Sequence, residues 1–192
     1  MKKSIFITGI AGSGKTTISR AFKDMGYEAY DIEDDQYGLF MMIRRDTGER
    51  YTDYDNADPE KTKNALWVCD LAKLKELINK QTNDIAFYCG IASKNEELMP
   101  FFDKSFVLQA DSEILYKRLL SREGTDDYGN TEAGRQGILK NKDEFEEKMI
   151  QAGMIGVKAN TDATEVAKAI IDLSTPPVRE EADGELHIHP EE

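Results

Sequence analysis

Glycines, a lysine and hydroxyl side chains stand close together near the start of the chain, in the run GIAGSGKT from Gly9 to Thr16. The run fits every fixed position of the phosphate-binding loop, or P-loop. Its glycines let backbone N–H groups approach phosphate oxygens, and the helix that should begin here directs its positive end at the same anion. Lys15 would neutralise the terminal phosphates during catalysis, and the Thr16 hydroxyl would bind Mg²⁺. The pattern predicts a triphosphate site whose nucleotide contacts are Gly9, Ala11, Gly12, Ser13, Gly14, Lys15, Thr16 and Thr17.

A group of carboxylates follows in the segment 31–35. Phosphoryl transfer to a hydroxyl needs an acid that orients the hydroxyl and can accept its proton. Asp31 is the best candidate for this catalytic role and for a metal ligand, because the predicted strand that carries it should lie near the P-loop. Glu33 and Asp34 are predicted to contact the acceptor, the metal or its water. A solvated acidic loop is the alternative, and it is the expected state of Asp35.

Arginines farther along the chain could stabilise the charge that develops during phosphoryl transfer. Arg118 and Arg122 are four residues apart, so they share one face of a predicted helix, and Arg135 lies on the next helix. Arg122 is predicted to be catalytic, whereas Arg118 and Arg135 are predicted to contact the nucleotide. Surface ion pairs with neighbouring acids, such as Glu132, are the alternative for these arginines.

Two further residues are predicted to bind the acceptor. Arg44 could form a fork onto a carboxylate or phosphate, although solvent-exposed ion pairs, for example with Asp53, are the alternative. Asn95 could line the acceptor pocket. Trp67 could line it too, although core packing on an apolar helix face is the commoner fate of such a residue.

The elements that must position these residues alternate along the chain. Apolar runs rich in β-forming residues predict strands at 4–8, 27–32, 84–89, 105–109 and 154–158. Helical spacing predicts helices at 14–25, 60–80, 111–122, 132–152 and 162–173. Such alternation indicates a parallel sheet covered on both faces. The segments 36–59 and 123–131 break the alternation and should lie beyond the carboxyl ends of strands, where such sheets bind ligands.

In the order of these motifs the chain resembles the P-loop kinases of small molecules, the group of shikimate kinase, gluconate kinase and the nucleoside monophosphate kinases. The resemblance implies a three-layer, adenylate-kinase-like α/β fold with a five-stranded parallel sheet, a substrate-binding insertion and a lid. On this basis residues 1–174 form a P-loop kinase-like domain, with the insertion at 36–66 and the lid region at 123–152. The composition of residues 175–192 indicates a disordered acidic tail.

One difference from the nucleoside monophosphate kinases bears on the acceptor. Those kinases carry an aspartate at the end of the third strand, where this chain has YCG at 88–90. Shikimate kinase takes its acids from the second strand, where this chain offers DIE at 31–33 in place of two aspartates. The segment 90–95 does not match the shikimate-binding glycines. We therefore expect ATP- and Mg²⁺-dependent phosphoryl transfer to a hydroxyl-bearing metabolite. The alternatives are a nucleoside monophosphate kinase and a non-kinase NTPase or switch that acts through a protein partner.

Composition restricts the cellular setting and the partners. The 25 Lys and Arg residues against 37 Asp and Glu give a formal net charge of −12, which disfavours nucleic acid as a general partner. No segment has the pattern of a membrane span or a signal peptide. Cys69 and Cys89 are expected to be buried thiols of a reducing compartment. We expect a cytoplasmic monomer or homodimer whose partners are a nucleoside triphosphate and a small-molecule acceptor.

Overall fold

Strands and helices alternate along the chain. The computed structural model describes residues 2–56, 58–121 and 129–175. In chain order the elements are β1 Lys3–Thr8, α1 Lys15–Asp24, β2 Glu28–Asp31, β3 Phe40–Arg44, α2 Pro59–Lys63, β4 Ala65–Cys69, α3 Leu71–Asn79, β5 Ile85–Cys89, β6 Lys104–Gln109, α4 Ser112–Leu120, α5 Glu132–Gln151, β7 Ile155–Lys158 and α6 Ala163–Ser174. Single 3₁₀ turns lie at 35–37, 95–97 and 99–101.

The main sheet has the strand order β2-β5-β1-β6-β7 and is parallel throughout. The five-stranded parallel sheet predicted from the sequence is therefore confirmed. Because the strands are parallel, their carboxyl ends meet at one edge. Register places Thr8 beside Val107, and places Asp31 beside Cys89. The P-loop and the acidic segment consequently start from the same edge of the sheet.

Helices cover both faces of this sheet. Ile7 of β1 packs in a cluster with Phe22 of α1 and Ile170 of α6 on one face. Phe6, the preceding residue, points to the other face and packs with Met149 of α5. Successive side chains of a strand alternate between faces, so a central strand covered on both sides must be apolar throughout. This burial explains the short continuous apolar runs, and a fully buried side chain of this size contributes roughly 1.5–3 kcal/mol.

The predicted helix over 60–80 is wrong, because a strand divides it. Helix α2 ends at Lys63 with Asn64 as its C-cap, and Trp67 and Val68 belong to β4. Aromatic and β-branched residues favour a strand when a partner is present, and β4 pairs with β3 in an antiparallel ladder. Asp70 then starts α3, because its side chain accepts hydrogen bonds from the first backbone N–H groups of that helix. The apolar spacing that resembled one helix belongs to separate elements.

Strands β3 and β4 form a separate two-stranded sheet. Strand β3 lies inside the predicted insertion at 36–66, whereas β4 extends past its end. This small sheet is joined to the loop after β5 through its main chain. The N–H of Ser93 donates to the Trp67 carbonyl at 2.8 Å, and the Trp67 N–H donates to Ser93 Oγ at 2.8 Å. The ladder therefore stands at the carboxyl edge of the main sheet, beside β5.

Some sequence predictions fall on residues outside the described ranges. Arg122 and the first part of the predicted lid lie in 122–128, and the predicted tail lies outside from residue 176 onward. The rest of the predicted lid region is mostly helix α5. None of the described helices combines the length and apolar character needed to cross a membrane.

Candidate active site

The P-loop makes a tight turn between β1 and α1. Gly12 and Gly14 have φ angles of +85° and +106°, a region that side-chain-bearing residues rarely adopt. The Ser13 N–H donates to the Ile10 carbonyl at 3.0 Å and closes the turn. Helix α1 then begins without a side-chain cap and without an acidic residue in its first turn. Its N-terminal N–H groups remain available to an anion.

Lys15 connects the P-loop with the acidic segment. Its ammonium donates to the Gly9 carbonyl at 3.0 Å and lies 3.7 Å from Glu33 Oε1. The lysine side chain is only 10 % exposed. A cation held between a backbone carbonyl and a carboxylate can exchange those partners for phosphate oxygens without leaving the loop.

A cleft of about 460 Å³ opens on one side of the P-loop. It lies between the loop, the end of α4 and the segment that leads into α6. Arg118 crosses between these walls, because its guanidinium donates to the Ser13 carbonyl at 3.2 Å and to the Ala159 carbonyl at 2.8 Å. Burial lowers the pKa of Arg118, but an arginine stays charged at any physiological pH. The structure thus brings Arg118, predicted to contact the nucleotide, into the cleft beside the P-loop.

Glu33 is the carboxylate of the acidic segment that pairs with the P-loop lysine, Lys15. Besides Lys15, it accepts a hydrogen bond from the Ile91 N–H at 3.1 Å and another from the Trp67 side chain. Burial raises the pKa of Glu33 above the usual value of a glutamate. Lys15 opposes this shift, and the nearby charge of Asp31 adds to it. Glu33 therefore combines a fixed position with a stronger affinity for a proton.

Asp31 and Asp34 are arranged differently by the turn that follows β2. Asp31 is the last residue of that strand, and its carbonyl accepts the Asp34 N–H at 3.1 Å. The Asp34 side chain accepts the Gln36 N–H at 3.0 Å and caps the 3₁₀ turn at 35–37. Asp31 therefore lies with Glu33 at the carboxyl edge of the sheet, whereas one carboxylate oxygen of Asp34 is occupied by the hydrogen bond that caps the turn.

Asn95 is a buried residue that supports the site through hydrogen bonds. It is 1 % exposed, and its Oδ1 accepts hydrogen bonds from the Ala92 N–H at 2.9 Å and the Thr8 hydroxyl at 3.3 Å. Thr8 ends β1 directly before the P-loop. Gly90 allows the loop after β5 to pass close to Ile32, because a Cβ at this position would lie 2.5 Å from a side-chain carbon of Ile32. Asn95 thus fixes the loop after β5 to the strand that carries the P-loop.

Arg44 and Arg135 lie in ion pairs, the arrangement that the sequence left open as the alternative. Arg44 donates to Asp53 at 2.6 Å and stacks on the Tyr51 ring. Arg135 lies 3.1 Å from Glu132, and it also donates to carbonyls in the turn before α5. Both guanidinium groups therefore have protein partners in the structure.

The sequence placed Trp67 on the wrong element and did not single out a buried ion pair on α5. Trp67 was expected on a helix face but lies on β4, where its side chain reaches Glu33. A buried ion pair, Lys142 with Glu146, lies on α5. The signal for the pair was present, since both residues fall on the apolar stripe of that helix, where charged side chains are rarely buried unless paired.

The oxygen donors at this edge fit Mg²⁺. The Thr16 hydroxyl is exposed in the first turn of α1, and the Asp31 carboxylate lies at the end of β2. No group of three or more metal-binding side chains occurs within the described ranges. Mg²⁺ usually keeps several waters and binds one or two protein oxygens together with substrate phosphates, so a sparse donor set of this kind suits it.

A five-stranded parallel sheet with a P-loop between its central strand and the following helix defines a P-loop nucleotide-binding fold of the kinase type. Within this class, the chain belongs to the AAA domain family, whose model matches residues 5–137. No curated protein sequence matches the chain significantly.

Solved structures with the same fold include small-molecule kinases. Shikimate kinase from Bacteroides thetaiotaomicron superposes with a TM-score of 0.58 at 16 % identity, over 89 % of this chain and 97 % of that one. Shikimate kinase from Acinetobacter baumannii, in complex with shikimate, gives 0.54 at 19 % identity, over 90 % and 93 %. Deoxyadenosine kinase from M. mycoides with bound dCTP gives 0.50 at 19 % identity, over 88 % and 97 %. At these identities the similarity establishes a shared fold.

Proposed function

We propose that this protein is a kinase that transfers the γ-phosphoryl group of ATP, bound with Mg²⁺, to a hydroxyl group of a small metabolite. The observation that carries the proposal is the position of Lys15, 3.7 Å from the Glu33 carboxylate. This contact places the charge that would hold the triphosphate next to an acid that could hold an acceptor hydroxyl. An NTP-binding site alone would not require such an acid.

The nucleotide would occupy the cleft beside the P-loop. Its triphosphate would accept hydrogen bonds from the loop N–H groups, which no side chain caps, and Arg118 holds the two walls of the cleft together. Thr16 and Asp31 are the proposed protein ligands of Mg²⁺, which would neutralise charge on the β- and γ-phosphates. The cleft volume of about 460 Å³ lies in the usual range for small-molecule sites.

The acceptor would lie on the other side of Lys15, against the acidic segment. Glu33 would orient the acceptor hydroxyl and accept its proton, supported by the hydrogen bonds from Ile91 and Trp67. Asp31, the acid favoured by the sequence, would act chiefly on the metal side because it ends β2. Catalysis would then depend mainly on positioning and charge stabilisation.

A screen of ADP release against acceptors in the presence of Mg²⁺ tests this proposal. The panel should contain shikimate and deoxyadenosine, which the structurally similar kinases suggest, as well as polyols, sugar acids and nucleoside monophosphates. Release of ADP that depends on one acceptor, with a phosphorylated product seen by mass spectrometry, would support the kinase. Hydrolysis at the same rate with and without every acceptor would instead favour an NTPase.

We also propose a cytoplasmic location. Both cysteines are free thiols, which suits a reducing compartment, and ATP is supplied there. Burial raises the pKa of the Cys69 thiol to about 12, so this side chain would be inert rather than reactive.

A further inference from the structure

Helix α5 carries a buried ion pair that the proposed chemistry does not use. Lys142 Nζ lies 3.3 Å from Glu146 Oε1, and the side chains are 11 % and 8 % exposed. Lys142 also donates to the exposed carboxylate of Asp143 at 2.8 Å. Burial alone would lower the pKa of Lys142, but its hydrogen bond with Asp143 and the charge of Glu146 outweigh this and raise it. The ammonium is therefore charged and held within the protein.

The pair shares a helix face with a residue that packs beside the P-loop. Ile138, Lys142 and Glu146 are spaced by four residues, so they lie along one side of α5. Ile138 packs in a cluster that Ile10 and Ala11 of the P-loop contact. The side of α5 that carries the ion pair therefore begins at the P-loop with Ile138.

The pair also lies on the acceptor side of the sheet. The Gln109 side chain, at the end of β6, donates to Glu146 Oε2 at 3.3 Å. Gln109 shares a sheet face with Val107, two residues earlier, and Val107 lies beside Thr8 in the register. Thr8 is bonded to Asn95 on that same face. The ion pair, Asn95 and the end of β1 thus border one region at the carboxyl edge.

Charge in this region is already balanced by the protein. One oxygen of Glu146 has no hydrogen bond among the described residues, although it faces the Lys142 ammonium. On the same helix, Lys148 pairs with Glu96 at 3.1 Å. Removal of one member of a buried ion pair leaves an uncompensated charge, which then attracts an opposite charge. Without Glu146, Lys142 would keep only the exposed Asp143 carboxylate as a partner and would attract an anion more strongly.

We propose that the Lys142–Glu146 pair forms one wall of the acceptor site, and that Glu146 selects acceptors without a negative charge by neutralising Lys142. This inference rests on the proposed function, because it describes the same site. It names the acceptor class as uncharged hydroxyl compounds, such as polyols or nucleosides, rather than carboxylates or phosphate esters. Glu146 acts through Lys142 and is therefore a positioning residue.

Binding of charge-matched probes tests the inference separately from phosphoryl transfer. The probes are shikimate with its methyl ester, and gluconate with sorbitol, titrated by calorimetry into protein that holds Mg²⁺ and a non-hydrolysable ATP analogue. Wild-type protein should bind each uncharged probe more tightly than its anionic partner. In Glu146→Gln, affinity for at least one anionic probe should rise by about tenfold or more, while the uncharged probes change by less than about twofold.

Two further variants separate the inference from other effects of the substitution. Lys148→Gln breaks an exposed ion pair on the same helix and should leave all four affinities unchanged. If Glu146→Gln fails to fold, Gln109→Lys adds a cation beside Glu146 and should favour the anionic probes in the same way. If no folded variant gains affinity for either anion, or if the wild type prefers the anions, the inference is overturned. Absence of acceptor-dependent ADP release would instead contradict the proposed function.

Discussion

The two sides of Lys15 are built in different ways. On the proposed nucleotide side, the expected contacts come from one continuous run, Gly9 to Thr16, and consist mainly of backbone N–H groups at the start of α1. On the proposed acceptor side, Glu33, Trp67 and Asn95 come from three separate segments and would act through side chains. A site built from backbone groups is therefore local in sequence, whereas a site built from side chains depends on how distant segments pack.

The two sides also differ in how they treat charge. The first turn of α1 has no acidic residue, so its partial positive charge is open to an anion. On the other side, the buried cation Lys142 is paired with Glu146. Under the proposed function, the triphosphate would meet uncompensated positive charge and the acceptor would meet balanced charge. Five substitutions test this division and are taken in order of expected effect.

Lys15→Ala should have the largest effect, because it removes the one side chain shared by both sides. The terminal phosphates would lose a cation that the backbone cannot replace, so acceptor-dependent ADP release should fall roughly 10²- to 10³-fold or more. Rates are measured at saturating ATP, and circular dichroism checks the fold. Lys23→Ala, an exposed lysine of the same helix, is the matched control. A fully active Lys15→Ala would show that the triphosphate is not held here.

Glu33→Gln should come second, because it keeps the size of the side chain but removes the proton acceptor. We expect kcat/KM to fall by roughly 10²- to 10⁴-fold with ATP affinity nearly unchanged. In the wild type, kcat/KM plotted against pH should fall on its acidic side. Since burial raises the pKa of Glu33, the midpoint of this acid limb should lie above the usual 4.5 of a glutamate. Activity that needs the ionised form is lost as the pH falls through that raised pKa, and Glu33→Gln should remove this limb.

Asp31→Asn provides the comparison for Glu33, since the two carboxylates are neighbours on the same turn. If Asp31 serves the metal, its loss should raise the Mg²⁺ concentration required for half-maximal rate, whereas Glu33→Gln should not. The opposite pattern, with Asp31→Asn abolishing the acid limb and Glu33→Gln retaining it, would return the catalytic role to the acid that the sequence favoured.

The difference between a site built from one continuous segment and a site built from distant side chains explains how much the sequence could predict. The P-loop and the five strands were accessible because glycine spacing and short apolar runs are local signals. The helix predicted over 60–80 was wrong because Trp67 and Val68 form a strand only when β3 lies beside them. The Lys142–Glu146 pair was missed although both residues fall on the apolar stripe of α5, since their burial as a pair depends on how that helix packs.

Arg118→Met should have a moderate effect confined to the nucleotide side. The substitution deprives the buried Ser13 and Ala159 carbonyls of their donor, which costs roughly 1–3 kcal/mol for each unsatisfied group. We expect the KM for ATP to rise about tenfold and the unfolding temperature to fall, with kcat within about threefold. Lys117→Gln, in an exposed pair with Glu113, is the control and should change little. A fall in kcat alone would place Arg118 in the chemistry instead.

Trp67→Phe should have the smallest effect and should be confined to the acceptor side. Phenylalanine retains most of the stacking on Phe40 but cannot donate to Glu33, and a hydrogen bond of this kind contributes about 1–3 kcal/mol when its acceptor is charged. That bond lowers the pKa of Glu33, so its loss should move the acid limb of kcat/KM further upward while the KM for ATP stays constant. Phe40→Leu disturbs the stacking and leaves the hydrogen bond, so it should weaken the fold without moving the limb. An unchanged limb in Trp67→Phe, or an equal shift in Phe40→Leu, would mean that the β3–β4 ladder supports Glu33 only by packing.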